Sequence, residues 1–153
     1  MLDNCKTAQE RWGGVTTIID RWLEERQELL VRFYRVSTGA VDEDIRGEKL
    51  RRLCEILVDY VSAGHFEIYD QLIKEGREFS DTDGLKEGSR LFAIIDQTTE
   101  KVLDFNDKYQ ETDDLTSLDH DLSQLGVTLE TRFEAEDGMI AVLHTAHKDL
   151  VSQ

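Results

Sequence analysis

Apolar residues recur along this chain three and four positions apart, the spacing of helices that bury one face. From about Thr7 to Val36, the residues Trp12, Val15, Ile18, Ile19, Trp22, Leu29, Leu30, Phe33 and Tyr34 keep that period. Gly13 and Gly14 weaken the start, where fraying or a bend is expected. Ser37-Thr38-Gly39 supplies a stop, with Gly39 the candidate C-terminal cap. A charged connection at residues 40–47 leads to a second helix marked by Leu50, Leu53, Cys54, Leu57, Val58 and Val61. The spacing resumes past Ser62-Ala63-Gly64 through His65, Ile68, Tyr69, Leu72 and Ile73. One long helix to about Phe79 is expected, with Ala63 and Gly64 allowing a neighbour to approach closely.

Ser80-Asp81-Thr82-Asp83-Gly84 reads as a loop. A third helix follows from about Leu85 to Tyr109, with Leu91, Phe92, Ile95, Val102, Leu103 and Phe105 facing inward. Residues 110–114 form a polar turn in which Asp113 or Asp114 can cap the next helix. The fourth helix carries Leu115, Leu118, Leu122, Leu125, Leu129, Phe133, Ile140 and Leu143. Four long amphipathic segments with short connections predict an all-α, up-down-up-down four-helix bundle, one domain over residues 1–153.

Composition supports this. The chain contains no proline, which has no place inside long uninterrupted helices. No stretch approaches the roughly 20 apolar residues that cross a bilayer, and the N-terminus lacks a signal-peptide core, so a cytoplasmic protein without a membrane segment is expected. Cys5 and Cys54 fit neither a metal spacing nor a disulfide framework, and Cys54, in an apolar stripe, reads as a buried free thiol. The formal net charge is −15. Residues 1–52 hold ten basic and ten acidic side chains, so the whole imbalance lies in residues 53–153, with eight basic and twenty-three acidic. Such a field repels nucleic acid and anionic lipid and attracts a basic partner, although acidity also serves solubility alone.

Candidate chemistry is sparse. None of the histidines His65, His120, His144 and His147 stands in the Glu-x-x-His pattern of di-iron bundles. His144 and His147 form an i, i+3 pair near the C-terminus, where frayed surface residues are expected; no metal or other cofactor is assigned. A nucleophile elbow and a phosphate-cradling glycine loop are both absent, so no catalytic residue is assigned and no enzyme is expected. Polar residues set among apolar ones are more suggestive. Asp20-Arg21-Trp22-Leu23 lies in mid-helix, and Asp59, Tyr60, His65, Phe66 and Tyr69 lie within the most apolar part of the second helix. These are either internal hydrogen-bonded pairs or a recognition surface. In the fourth helix Arg132 and Glu136 stand at i, i+4, where an ordinary solvated ion pair is expected.

Three of these segments carry a resemblance: Asp20-Arg21-Trp22-Leu23, the run Leu57-Val58-Asp59-Tyr60-Val61-Ser62-Ala63-Gly64-His65-Phe66, and Arg132-Phe133-Glu134-Ala135-Glu136-Asp137. Together they resemble the Rsd/AlgQ family of anti-sigma factors over nearly the whole chain. Gln9-Glu10-Arg11-Trp12-Gly13-Gly14 and Val142-Leu143-His144-Thr145-Ala146-His147 are similar to the AlgQ branch. The resemblance implies a protein that binds the housekeeping sigma-70 subunit of RNA polymerase at its −35-reading C-terminal domain, withholding it from core enzyme and promoter DNA. It also implies a contact role for Asp59. The partner-binding set expected on this basis is Asp20, Arg21, Trp22, Asp59, Tyr60, His65, Phe66, Tyr69, Arg132 and Glu136, with Trp22, Tyr60, Phe66 or Tyr69 as the anchor. A domain that grips DNA is basic, so an acidic helical surface is its electrostatic complement. Two other readings stay open: a ligand- or metal-binding bundle using His65 or the His144/His147 pair, and an adaptor for a metabolic or stress-signalling protein. Other regulatory protein partners are compatible with the first reading as well; direct nucleic-acid and membrane binding are not expected.

Overall fold

In the computed structural model, residues 7–38, 43–110, 112 and 114–151 are described. Helix α1 spans Ala8–Ser37, opened by Thr7, whose side chain accepts the Glu10 N–H. Its backbone runs through Gly13 and Gly14 without a break. At its other end Thr38 caps the helix, directing both its N–H and its hydroxyl to the Tyr34 carbonyl at 2.9 and 2.8 Å. Gly39, the expected cap, lies outside the described residues.

The second rod is continuous but not uniform. Helix α2, Glu43–Ala63, passes through a π-helical turn at Gly64–Ile68 into α3, Tyr69–Glu78. In the wide turn the Tyr69 N–H reaches back to the Gly64 carbonyl, an i→i−5 bond. The expected close approach falls at Gly64: a Cβ there would sit 2.9 Å from the Trp22 ring and 2.9 Å from the Tyr69 hydroxyl. After α3, Ser80 at φ 51° turns the chain.

The expected loop at 80–84 is shorter than its composition implied. Asp81 is an N-cap, its carboxylate accepting the Gly84 N–H at 2.9 Å, and α4 runs Thr82–Tyr109. Capping at the other loop departs from expectation too. Asp113 lies outside the described residues, and Asp114 accepts from the Thr116 N–H (3.0 Å) and hydroxyl within the turn, before α5 begins at Leu118. Helix α5 spans Leu118–Leu143, followed by a 3₁₀ turn at Thr145–His147 and a short α6, Lys148–Val151.

Cross-chain contacts fix the directions. Arg11 near the start of α1 meets Glu78 at the end of α3, Trp22 meets Tyr60, and Arg46 meets Val36, so the first two rods are antiparallel. Tyr109 bonds Asp121, and Arg132 bonds Thr98, which sets α5 antiparallel to α4. The core includes Ile19, Leu29, Leu53, Leu57, Leu72, Ile95, Val102, Leu125, Leu129 and Met139. Cys54 is a buried free thiol. Leu103 is 42 % exposed rather than inward-facing, because Val102, Phe105 and Tyr109 already occupy the buried stripe of α4. Leu30 and Tyr34 are exposed likewise. Among the described residues no helix is long and apolar enough to cross a membrane.

Candidate functional site

The polar residues singled out in the sequence divide into a buried network and the surface above it. At the centre is Glu136 on α5, fully buried. Its Oε1 accepts from the Tyr60 hydroxyl at 2.6 Å and from Arg26 at 3.3 Å. Its Oε2 accepts from the Tyr69 hydroxyl at 2.6 Å and from Arg132 Nε at 3.2 Å. The remaining Arg132 nitrogens reach the Ile95 carbonyl, the Thr98 and Thr99 hydroxyls and the Tyr69 oxygen at 2.8–3.3 Å. Among the described residues every buried side-chain nitrogen and oxygen has a partner.

Aromatic rings enclose this centre. Trp22 stacks on Tyr60 with centroids 4.7 Å apart and an interplanar angle of 2°, and its indole N–H donates to the Tyr60 carbonyl at 3.1 Å. Tyr69 stands edge-on to Trp22 and to Phe92. The Arg26 guanidinium lies 4.7 Å from the Phe133 centroid, while its nitrogens reach Tyr60, Glu136 and Asp137. Burial raises Glu136 above the ordinary carboxylate value, opposed in part by Arg132, the two tyrosines and Arg26. With four donors on its two oxygens the group accepts only, which is the ionised form. Burial, then the neighbouring Glu136 charge, holds both tyrosines neutral by driving their hydroxyls upward.

Trp22, Tyr60, Tyr69, Arg132 and Glu136 therefore all point inward. For Arg132 and Glu136 this replaces the expected solvated pair with an ion pair whose side chains are at most 1 % exposed. It is the internal-pairing alternative, extended over four rods. Spacing gives no hint of Arg26, the residue that closes the network from α1, because its carboxylate partners lie about 110 positions away.

Asp20, Arg21, Asp59, His65 and Phe66 remain on the surface. The π turn accounts for the last two. By widening one turn it keeps Gly64, Ile68 and Tyr69 buried while His65, Phe66 and Glu67 project outward. Phe66 is 79 % exposed, with His65 packed edge-on at 4.9 Å. Asp59 precedes the buried Tyr60 and is exposed. It raises the pKa of Glu25 on α1, second to burial itself. Asp59 also borders a groove of about 510 Å³ shared with Arg51, Glu55, Asn106 and Gln110.

The histidine pair does not lie on a frayed end. His144 and His147 are both buried and share Glu75 of α3, at 2.6 and 2.9 Å from their Nδ1 atoms. The turn after α5 folds the chain back onto the start of α1, where Trp12 stacks on His144 at 4.3 Å. The Gln9–Gly14 and Val142–His147 motifs thus meet in space. Among the described residues, no group of three or more His, Cys, Asp and Glu side chains is arranged to hold a metal ion.

The family described as regulator of RNA polymerase sigma(70) subunit, Rsd/AlgQ, matches residues 1–144. "Regulator of sigma D" from Salmonella paratyphi B is 32 % identical, over 97 % of this chain and 95 % of the relative. The proteins of that name from Salmonella schwarzengrund and Salmonella typhi match at the same identity and coverage. With the family matched across nearly its full length, this chain belongs to the Rsd/AlgQ family of regulators of the RNA polymerase sigma-70 subunit.

Proposed function

We propose that this chain is a stoichiometric, non-catalytic regulator that binds the housekeeping sigma-70 subunit in the cytoplasm. It acts as one helical domain over residues 1–153. Its target is the basic C-terminal domain that reads the −35 element, and occupying that domain withholds sigma from core polymerase and promoter DNA. What supports this reading is the family match over residues 1–144 together with an exposed face on the second rod, Asp59 on α2 and Phe66, 79 % exposed, on the π turn, with Asp59 near enough to Glu25 of α1 to raise its pKa. Two like charges held together by packing disfavour the free protein and favour any partner that places a cation between them.

The buried members of the expected contact set act behind this surface. Tyr60, Trp22, Tyr69, Arg132 and Glu136 lock α2 and the π turn against α1 and α5, and so fix where Asp59, His65 and Phe66 project. Phe66 supplies the exposed aromatic anchor, while the exposed Asp20, Arg21 and Asp59 and the half-buried Glu25 supply charge on α1 and α2.

Calorimetry with purified sigma-70 tests the proposal. A 1:1 complex is expected, weakening as salt rises, with Asp59→Ala and Phe66→Ala each lowering affinity at least tenfold. Equal affinity for wild type and Asp59→Ala would remove that residue from the contact. Retention of assembled holoenzyme, rather than free sigma, on the immobilised protein would overturn sequestration.

A further inference from the structure

We propose that His147 is a proton-operated clasp holding the C-terminal segment, residues 144–151, against the start of α1 and the α3–α4 corner, and that the segment loosens when His147 loses its charge. This inference is independent of the sigma reading.

The geometry defines the charge state. His147 Nδ1 lies 2.9 Å from Glu75 Oε2, and its Nε2 lies 2.8 Å from Asp81 Oδ2. A neutral imidazole has one donor and one acceptor, so against two carboxylates its lone pair would face an oxygen. One proton more is needed at this site, and the neighbours do not supply it. Asp81 uses its other oxygen to accept the Gly84 N–H; that bond first, and His147 second, hold it below the usual carboxylate range. Glu75 receives His144 Nδ1 on Oε1 at 2.6 Å and His147 on Oε2, so as a carboxylate it accepts from both rings. His144 differs: its Nε2 faces not a carboxylate but the Thr16 hydroxyl at 2.7 Å, whose one proton is shared with the Trp12 carbonyl at 3.1 Å, whereas both His147 nitrogens face carboxylates. The extra proton therefore belongs on His147. Burial opposes the charge, and the bonds to Asp81 and Glu75 outweigh it, raising this imidazolium above the ordinary histidine value.

The contacts meet from every side. Glu75 from α3 and Asp81 at the start of α4 are the charged groups facing His147. From α1 come Trp12 and Thr16, both uncharged and both on His144; Trp12 also donates its indole N–H to the His144 carbonyl at 2.9 Å. Phe79 packs on the His147 ring at 4.6 Å. Arg11 and Glu78 form an ion pair joining α1 to α3 at the same end. Lys148 and Asp149 follow on the segment itself, both exposed. Deprotonation leaves two carboxylates around a neutral ring, so beyond His147 the hold passes to the contacts of His144 with Trp12, Thr16 and Glu75, where the segment begins, and the 3₁₀ turn and four-residue helix after it are the part that loosens.

The sign follows from linkage. A histidine whose folded pKa is raised contributes its full stabilisation below about 6.5 and loses it as pH rises through the raised value. Alkalinisation frees the segment beyond His144 and uncovers Phe79; acidification tightens it.

The test is an NMR titration of the full chain from about pH 5.5 to 9. It would be combined with hydrogen-exchange protection of the His147 and Lys148 amides, corrected for intrinsic exchange at each pH. The His147 midpoint should exceed its midpoint in the urea-unfolded chain, and protection should fall at least fivefold across it. Asp81→Asn keeps an acceptor for Gly84 and should move both the midpoint and the loss of protection to lower pH. A His147 midpoint at or below the unfolded one would overturn the proposal. So would protection that stays constant across the titration, or a midpoint that Asp81→Asn leaves unmoved.

Discussion

Tyr60 and Glu136 are joined by a 2.6 Å hydrogen bond between two fully buried groups, the phenol on α2 and the carboxylate on α5. Tyr69 makes the equivalent bond to the second oxygen, so one carboxylate ties the rod that carries the π turn to α5 from both sides of that turn. Removing Glu136 leaves the buried guanidinium of Arg132 without its anion. Glu136→Ala should therefore cost about 3–5 kcal/mol, the range for breaking a buried ion pair from one side. Urea denaturation, with the m-value held constant, measures it. Arg132→Met combined with Glu136→Leu should be less destabilising than the two single losses summed, because no uncompensated partner remains from that pair.

Two glycines in helical surroundings should respond oppositely to the same change. A Cβ at Gly64 would lie within 2.9 Å of both the Trp22 ring and the Tyr69 hydroxyl, each fixed by its own hydrogen bond. Gly64→Ala is expected to lose about 1–3 kcal/mol through overpacking. At Gly13 nothing lies within 4 Å of the added carbon. There Ala should gain roughly 0.5–1 kcal/mol from helix propensity. Thermal melts of the two variants would show midpoints moving in opposite directions.

These contrasts mark what the sequence disclosed and what it did not. Four rods were legible because burial imposes a 3.6-residue period, and the Leu53–Leu57 and Leu125–Leu129 spacings carry it plainly. The π turn was not legible, since one additional residue in a wide turn leaves the apolar spacing through Ile68 and Leu72 nearly unchanged. Loop composition misled at Asp81, where the residue type that favours turns equally favours an N-cap. The partition of the site was hidden for a different reason. Arg132–Glu136 at i, i+4 looks the same on a solvated face as in a core; only the facing Tyr60, Tyr69 and Thr98 make it buried. His144 and His147 look like a frayed end in the sequence because their partner, Glu75, is about 70 positions away in the chain.

Cys54 should be chemically silent in the native state. Burial, with Glu55 adding to it, pushes its thiol up to about 11. At pH 8 only about one thiol in a thousand is then ionised, and the thiolate is the nucleophile. In a Cys5→Ser background, a disulfide exchange reagent is expected to label the folded protein only as fast as it opens, and at once in urea. Labelling of the folded protein at the rate of a free peptide thiol would contradict the burial.

Glu25 offers a test in which stability and binding separate. Its pKa is raised by burial and then by Asp59, so the folded state binds this proton more tightly than the unfolded chain does. Stability contributed by that proton is present at low pH and lost as pH rises from about 4.5 through the raised value. At neutral pH the ionised pair is a local cost. Glu25→Gln should therefore stabilise the free protein by about 0.2–0.5 kcal/mol, the scale of an exposed like-charge contact, and flatten the pH dependence of its melting midpoint over the acidic range. If the pair exists to receive a cation from sigma, the same substitution should weaken binding to sigma-70 severalfold and reduce the salt dependence of that binding. A variant both more stable and equally tight for sigma would place Glu25 outside the interface and leave Phe66 and Asp59 as the contact residues to test.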